Sequence, residues 1–166
     1  MPTSDNLQAA FSGESQANRK YLAFAAKADA EGFPQIARLF RAAAAAETVH
    51  AHSHLRVMDG IADTETNLKV AIAGENYEFE EMYPKFVREA EMESHRKAVL
   101  SFRNAMAVEK THYDLYTKAL ETLQSGKDMP PASIYVCDVC GHTVIGQAPD
   151  TCPVCGAVKS KFKEVC

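Results

Sequence analysis

Glu47-Thr48-Val49-His50 and Glu109-Lys110-Thr111-His112 are two copies of one Glu-x-x-His tetrapeptide. Each lies inside a long run with the three- and four-residue apolar spacing of a helix. At 3.6 residues per turn, the Glu and the His of each copy share one helical face, about 60° apart. That face is otherwise apolar. The first copy continues the stripe Ile36, Leu39/Phe40, Ala43, Glu47, His50, His54, Val57, and the second the stripe Ala98, Phe102, Ala105, Glu109, His112, Tyr116, Leu120. A carboxylate on a core-facing stripe is costly unless something neutralises it.

Two further runs repeat the anomaly. Glu14 falls in the stripe Leu7, Phe11, Glu14, Tyr21, Phe24, Ala28, and Glu75 and Glu78 fall in Leu68, Ile72, Glu75, Glu78/Phe79, Met82, Phe86. The spacing predicts four helices over 3–30, 34–58, 64–91 and 93–123. Glu31-Gly32-Phe33-Pro34 and Asp59-Gly60 are the expected breaks. Pro84, inside the third pattern, predicts a bend just past the glutamates. Counted from the turns, the glutamates lie about 12 to 17 residues along their helices, so hairpin folding brings them to one layer. A glutamate from each of two helices and a Glu-x-x-His pair from each of the other two is the recipe for a di-iron or di-manganese bundle site. Glu14, Glu47, His50, Glu75, Glu78, Glu109 and His112 are therefore the candidate ligands. Oxygen-rich ligation with two imidazoles favours iron or manganese over zinc or copper. Five carboxylates roughly balance two ferrous or two ferric ions.

The remaining polar residues near these stripes have plainer readings. Glu78 has Glu80 and Glu81 as neighbours, as an ordinary solvated acidic face would. His52 and His95 fall off the stripes and are expected in solvent, and His54 at a core boundary or behind His50. Tyr21 and Tyr83 are expected as packed rings or as hydrogen-bond partners of the carboxylates.

The chain's end is of another kind. Residues 126–133 have the composition of a linker. Residues 134–166 contain short β-like runs, Ile134-Tyr135-Val136 and Thr143-Val144-Ile145, and four cysteines in two knuckles, Cys137-Asp138-Val139-Cys140-Gly141 and Cys152-Pro153-Val154-Cys155-Gly156. A unit this small needs a metal or disulfides to fold. Four thiolates suit a tetrahedral zinc or a single iron. The glycine after each pair permits a tight turn that aims amide N–H groups at the sulfurs. Cys166 is left over as a terminal thiol. The expected fold is thus an all-α four-helix bundle over 1–125, joined by 126–133 to a small β-rich metal domain over 134–166.

The totals narrow the partners. A net charge of −4 over 166 residues, with mixed signs along the chain, gives no basic patch for nucleic acid. No run of 18 apolar residues is present to span a membrane. The first residues lack the basic and apolar regions of a signal peptide, so a cytoplasmic location is expected.

These residues resemble the rubrerythrin family over nearly the whole chain, a ferritin-like bundle followed by a rubredoxin-like domain. The resemblance rests on Gly13-Glu14-Ser15, Glu47-x-x-His50, Glu75-x-x-Glu78 with Glu81-Met82-Tyr83-Pro84, Glu109-x-x-His112 and Tyr135-Val136-Cys137 with its partner knuckle. It implies a non-heme di-iron peroxidase that reduces hydrogen peroxide to water. By that resemblance Glu47 and Glu109 bridge two irons, and Glu14, Glu75, Glu78, His50 and His112 are terminal ligands. One iron exchanges His50 for Glu78 with redox state. Cys137, Cys140, Cys152 and Cys155 hold an electron-delivering iron refilled by a reductase or a rubredoxin. A ferroxidase, a manganese catalase and a zinc-ribbon binding module are the competing readings. Ferritin-like bundles usually join helices two and three by a long crossover, and Gly60–Asp63 is too short for one. A plain up-down bundle or a homodimer with exchanged helix pairs is expected.

Overall fold

The computed structural model describes residues 1–165, so Cys166 lies outside the described residues. In chain order the elements are α1 (Pro2–Ala30), α2 (Pro34–Val57), α3 (Thr64–Tyr77), a π-helical turn (Glu78–Met82), α4 (Tyr83–Met92), α5 (Arg96–Gln124), β1 (Ile134–Cys137), β2 (Thr143–Ile145), a 3-10 turn (Lys159–Lys161) and β3 (Phe162–Val165). They form two compact units, divided between Ala62 and Asp63. No helix among the described residues is long and apolar enough to cross a membrane.

The first unit is the α1–α2 hairpin. Gly32, at φ +83°, takes the left-handed conformation that closes α1. The amides of Gly32 and Phe33 then donate back to Asp29 O (3.0 Å) and Ala28 O (2.9 Å). Pro34 opens α2, where its missing N–H costs nothing. The seam between the helices is built of alanines. Ala25, Ala28 and Ala37 cluster with Phe40, and Ala44 and Ala51 are buried further along. Methyl side chains let the two backbones approach closely. Asn18 exploits this, donating from Nδ2 to Ala44 O (2.7 Å) and Thr48 Oγ1 (2.8 Å). So narrow a seam covers only part of the apolar stripe. Ile36, Leu39 and Val57, which the spacing turns inward, are exposed, Leu39 at 70%. Asp59, not Gly60, is the residue with positive φ (+53°) at the end of α2. Gly60 is there for space, since a Cβ on it would meet the Leu55 side chain and carbonyl.

In the second unit α3 and α4 pack on α5. Asp63 caps α3 by accepting the Thr66 amide (2.8 Å). The third pattern is one helical run, but its irregularity differs from the expected proline bend. The backbone widens into a π turn that begins at Glu78 itself and ends before Pro84. A proline ring clashes with the carbonyl one α-turn earlier and lacks the N–H that would bond it, so a widened turn ahead of Pro84 absorbs the misfit. Tyr83, Phe86 and Phe102 then stack across α4 and α5, with ring centroids 5.6 to 6.2 Å apart. The fourth helix starts at Arg96, later than expected. Ser94 has φ +56° and His95 caps α5, its Nδ1 accepting the Ala98 amide at 3.2 Å. His95 is exposed, as expected, but it has this structural task.

The cysteine segment, also in the second unit, is a three-stranded antiparallel sheet in the order β2-β1-β3. Its core is Cys137, Ala148, Cys152 and Phe162. β1 and β2 coincide with the β-like runs of the sequence. β3 has no such forerunner, because Phe162-Lys163-Glu164-Val165 carries one buried side chain and no flanking signal.

Candidate metal centres

The seven helical candidates fall into two groups, one in each unit. On the hairpin, Glu14 of α1 and Glu47 and His50 of α2 bring one ligand atom each to within 4.8 Å of one another. His50 Nδ1 lies 3.0 Å from Glu47 Oε2. In the second unit Glu75 of α3 and Glu109 and His112 of α5 do the same. There His112 Nδ1 lies 2.9 Å from Glu109 Oε2 and 3.8 Å from Glu75 Oε1. In both copies of the motif the Nδ1 side of the ring turns toward its own glutamate, as their three-residue spacing requires.

The glutamates are half-buried rather than fully interior, and His50 is exposed. This corrects the expectation of core positions: two-helix seams of alanine leave the ligand faces open. Glu78 stands apart from its group, at the first residue of the π turn. It is still close enough for the charge of Glu109 to push its carboxyl above the ordinary range, after burial, with His112 opposing.

Crowding dominates the second group. Burial, then the negative charges of Glu109 and Glu78, push Glu75 up to about 7. Carboxylates held this close repel one another and share poor solvation, and a cation relieves both penalties at once. The residues therefore fit a metal ion by the chemistry of their donors. Tyr83 is raised by burial and by Glu78, Glu109 and Glu75, which places its phenol beside these carboxylates. Tyr21 instead packs among Phe24 and Phe40 (centroids 6.3 and 6.2 Å). His54 is half-buried one turn beyond His50, and His52 is exposed.

The four cysteines form the third group. Cys137 and Cys155 Sγ are 3.7 Å apart, and Cys140 and Cys152 Sγ 3.6 Å. A metal–sulfur bond of about 2.3 Å gives tetrahedral S···S edges of roughly 3.8 Å, so the sulfurs stand where one tetrahedral ion needs them. Gly141 (φ +87°) and Gly156 (φ +75°) make the predicted knuckle turns. Their amides donate to Cys137 O (2.8 Å) and Cys152 O (3.0 Å). The amides that follow, of His142 and Ala157, reach the sulfurs of Cys140 and Cys155. Cys152 is held down to about 7. Burial alone would raise it, but amides of Cys155 and Val154 and the neighbouring thiols outweigh that. Burial pushes Cys140 up, so metal-free knuckles hold unlike thiols.

Sequence reasoning missed what joins these groups in the second unit. Thr143 Oγ1 of β2 lies 2.9 Å from His112 Nε2, and His142 Nδ1 lies 3.4 Å from Thr111 Oγ1. Both contacts link residues 31 positions apart in the chain. Neither periodicity nor motif spacing announces them.

A helical protein with two carboxylate–histidine ligand groups and a separate four-cysteine sheet is a metalloprotein with sites of two chemical kinds. The comparisons agree on its kin. Residues 5–120 match the rubrerythrin family and residues 135–163 the rubrerythrin rubredoxin-like domain. Rubrerythrin-2 of Clostridium acetobutylicum is 33% identical over 97% of this chain and 95% of its own length. Nigerythrin of Nitratidesulfovibrio vulgaris is 34% identical over 96% and 85%. Among solved structures, nigerythrin in its fully reduced, all-ferrous state superposes with a TM-score of 0.58 at 33% identity, covering 98% of this chain and 86% of that one. The chain belongs to the rubrerythrin family, and its helical fold with a small C-terminal sheet is the one the sequence predicts.

Proposed function

We propose that this chain is a peroxidase that reduces hydrogen peroxide to water, with two irons held by the glutamates and histidines and a third by the cysteines. The observation that carries the reading is the co-occurrence, in one chain, of two oxygen-rich ligand groups and a thiolate tetrahedron. When bound, the paired irons would supply two electrons to the O–O bond, and the thiolate-held iron would return them one at a time from an external reductase or rubredoxin.

The protein's own residues have separable tasks. Glu47 and Glu109, each beside its own histidine, are placed to bridge, and Glu14, Glu75, His50 and His112 to terminate the ligand set. Glu78, outside the compact group and on a widened turn, suits a ligand taken up in one redox state and released in the other. Tyr83 keeps its proton and so offers a neutral donor among anions. Amides aimed at the thiolates stabilise their negative charge in the four-cysteine site.

Assembly is part of the proposal. The loop between Val57 and Thr64 spans at most about 20 Å, shorter than α2 by helical rise, so it cannot act as a long crossover. Leu39, Val49 and Val57 on the hairpin and Val70, Tyr77 and Leu100 in the second unit remain exposed. Exposed apolar faces of this kind call for a covering partner. A homodimer that exchanges helix pairs would supply one. The functional division is a di-iron domain over 1–125, a linker over 126–133 and the thiolate-iron domain over 134–166. Four thiols gathered as metal ligands suit a reducing compartment, and the cytoplasm is the proposed location.

The test is spectroscopic. Anaerobically purified protein is expected to be red, to bleach on reduction, and to recover its colour at a rate set by added peroxide. A colourless, zinc-bearing four-cysteine site would overturn the electron-transfer role. Recovery with dioxygen but not with peroxide would favour a ferroxidase, and peroxide turnover without a reductant a catalase.

A further inference from the structure

We propose that Thr143, carried by the cysteine sheet, is the positioning residue for His112 and couples the two kinds of metal site in the second unit. The inference rests on the reading of His112 as a ligand. His112 projects from α5 with Nδ1 toward Glu109 and Glu75, which leaves Nε2 on the opposite side of the ring. That nitrogen lies 2.9 Å from Thr143 Oγ1. The same hydroxyl donates to Gly141 O at 3.2 Å. Gly141 directly follows Cys140, one of the four thiols.

The hydroxyl is held in place from several sides. β2 pairs with β1, with Thr143 opposite Val136. The backbone at Gly141 lies against buried Val108 of α5, where a Cβ on the glycine would stand 3.7 Å from Val108 Cγ1. His142 meets Thr111 one residue before His112. The sheet is thus fixed to α5 at the level of the ligand histidine. His50 has no equivalent: its described hydrogen-bond partner is Glu47 alone.

The proton arrangement follows from the chemistry of imidazole. A neutral ring that gives its Nδ1 lone pair to a metal carries its proton on Nε2. That N–H then donates to Thr143 Oγ1, and the hydroxyl passes its own hydrogen to Gly141 O. With the proton on Nδ1 and aimed at Glu109, the direction reverses: the hydroxyl donates to Nε2 and the Gly141 carbonyl gives up its bond. Thr143 thus links the state of His112 to the backbone beside Cys140. It also fixes the ring plane and strengthens the ligand, as outer partners of metal-bound histidines do.

Thr143→Val keeps the shape and removes the hydroxyl, and Thr143→Ser restores it. In full-length protein, ferrous iron held at the carboxylate–histidine groups is titrated against a chelator, with the thiolate-to-iron absorption of the cysteine site as internal control. Thr143→Val is expected to weaken iron retention about ten-fold or more, and Thr143→Ser to recover most of it. In the metal-free protein, 15N spectra should show a changed His112 tautomer in Thr143→Val and an unchanged His50. If Thr143→Val disturbs the sheet, seen as lost thiolate-to-iron absorption, Thr143→Ala carries the same prediction. Wild-type iron retention and an unshifted His112 in the hydroxyl-free variant would overturn the proposal. So would equal losses in the valine and serine variants. Absence of peroxide turnover in wild-type protein would sink the peroxidase reading alone, because iron retention and the ring spectrum are read without turnover.

Discussion

The two Glu-x-x-His copies share a spacing and differ in what stands behind them. On the α1–α2 hairpin, His50 is exposed and meets only Glu47. On α5, His112 is half-buried, with Glu109 on one side and a hydroxyl from the sheet on the other. A tetrapeptide on a helix fixes which side chains share a face. It does not fix how firmly they are held, and that firmness comes from a distant segment in one copy and is missing in the other.

The most severe way to break this contrast is to remove the brace. Cys152→Ala takes one thiol from a sheet whose core is two cysteines, an alanine and a phenylalanine. Domains this small depend on their metal, so the sheet is expected to lose its fold at a cost of several kcal/mol. Amide exchange should rise across β1–β3 and around His112, while the α1–α2 hairpin keeps its protection. Equal loosening of both histidines would show that the brace is not what distinguishes them.

Charge crowding gives a smaller effect, confined to the second unit. Glu75 titrates near 7 in the folded metal-free protein, against about 4.5 when unfolded. Below the lower value both states hold the proton and no penalty exists. As pH rises from about 4.5 to about 7 the unfolded state releases its proton first, so stability is lost across that window, by on the order of 3 kcal/mol at most. Melting of metal-free protein should fall through this range, and Glu75→Gln should flatten the fall. A pH-independent melt in wild-type protein would contradict the crowding.

The smallest expected change sharpens the comparison from the other side. Asp59 holds a left-handed conformation that glycine adopts freely. Asp59→Gly should stabilise the end of α2 by up to about 1 kcal/mol, visible as a modest rise in Tm and without effect on His112.

Much of this was legible in the residues, and the limits have physical causes. Helical spacing located α1, α2 and α5 because apolar periodicity and Gly/Pro breaks act locally. It misjudged burial. A stripe shows which side chains share a face, but not whether one alanine seam is enough to cover them, as Ile36 and Leu39 demonstrate. The π turn escaped because nothing in Glu78-Phe79-Glu80-Glu81-Met82 separates it from an α-helix; only Pro84 hinted at a disturbance. The knuckles were readable because thiolate spacing is a strong local constraint. Thr143 was not, since its importance exists only once β2 lies on α5.

The widened turn at Glu78–Met82 has a consequence for how this helix tolerates change. A π turn behaves as a one-residue insertion accommodated in place. Excising a single residue there would return the run to a regular spiral and rotate everything after it by about 100°. Phe86 and Val87 would swing out of register with α5, while Glu75 would stay where it is. The phase of the second half of this helix is therefore stored in five residues, so a deletion within them should be far more harmful than one in the loop that follows α4.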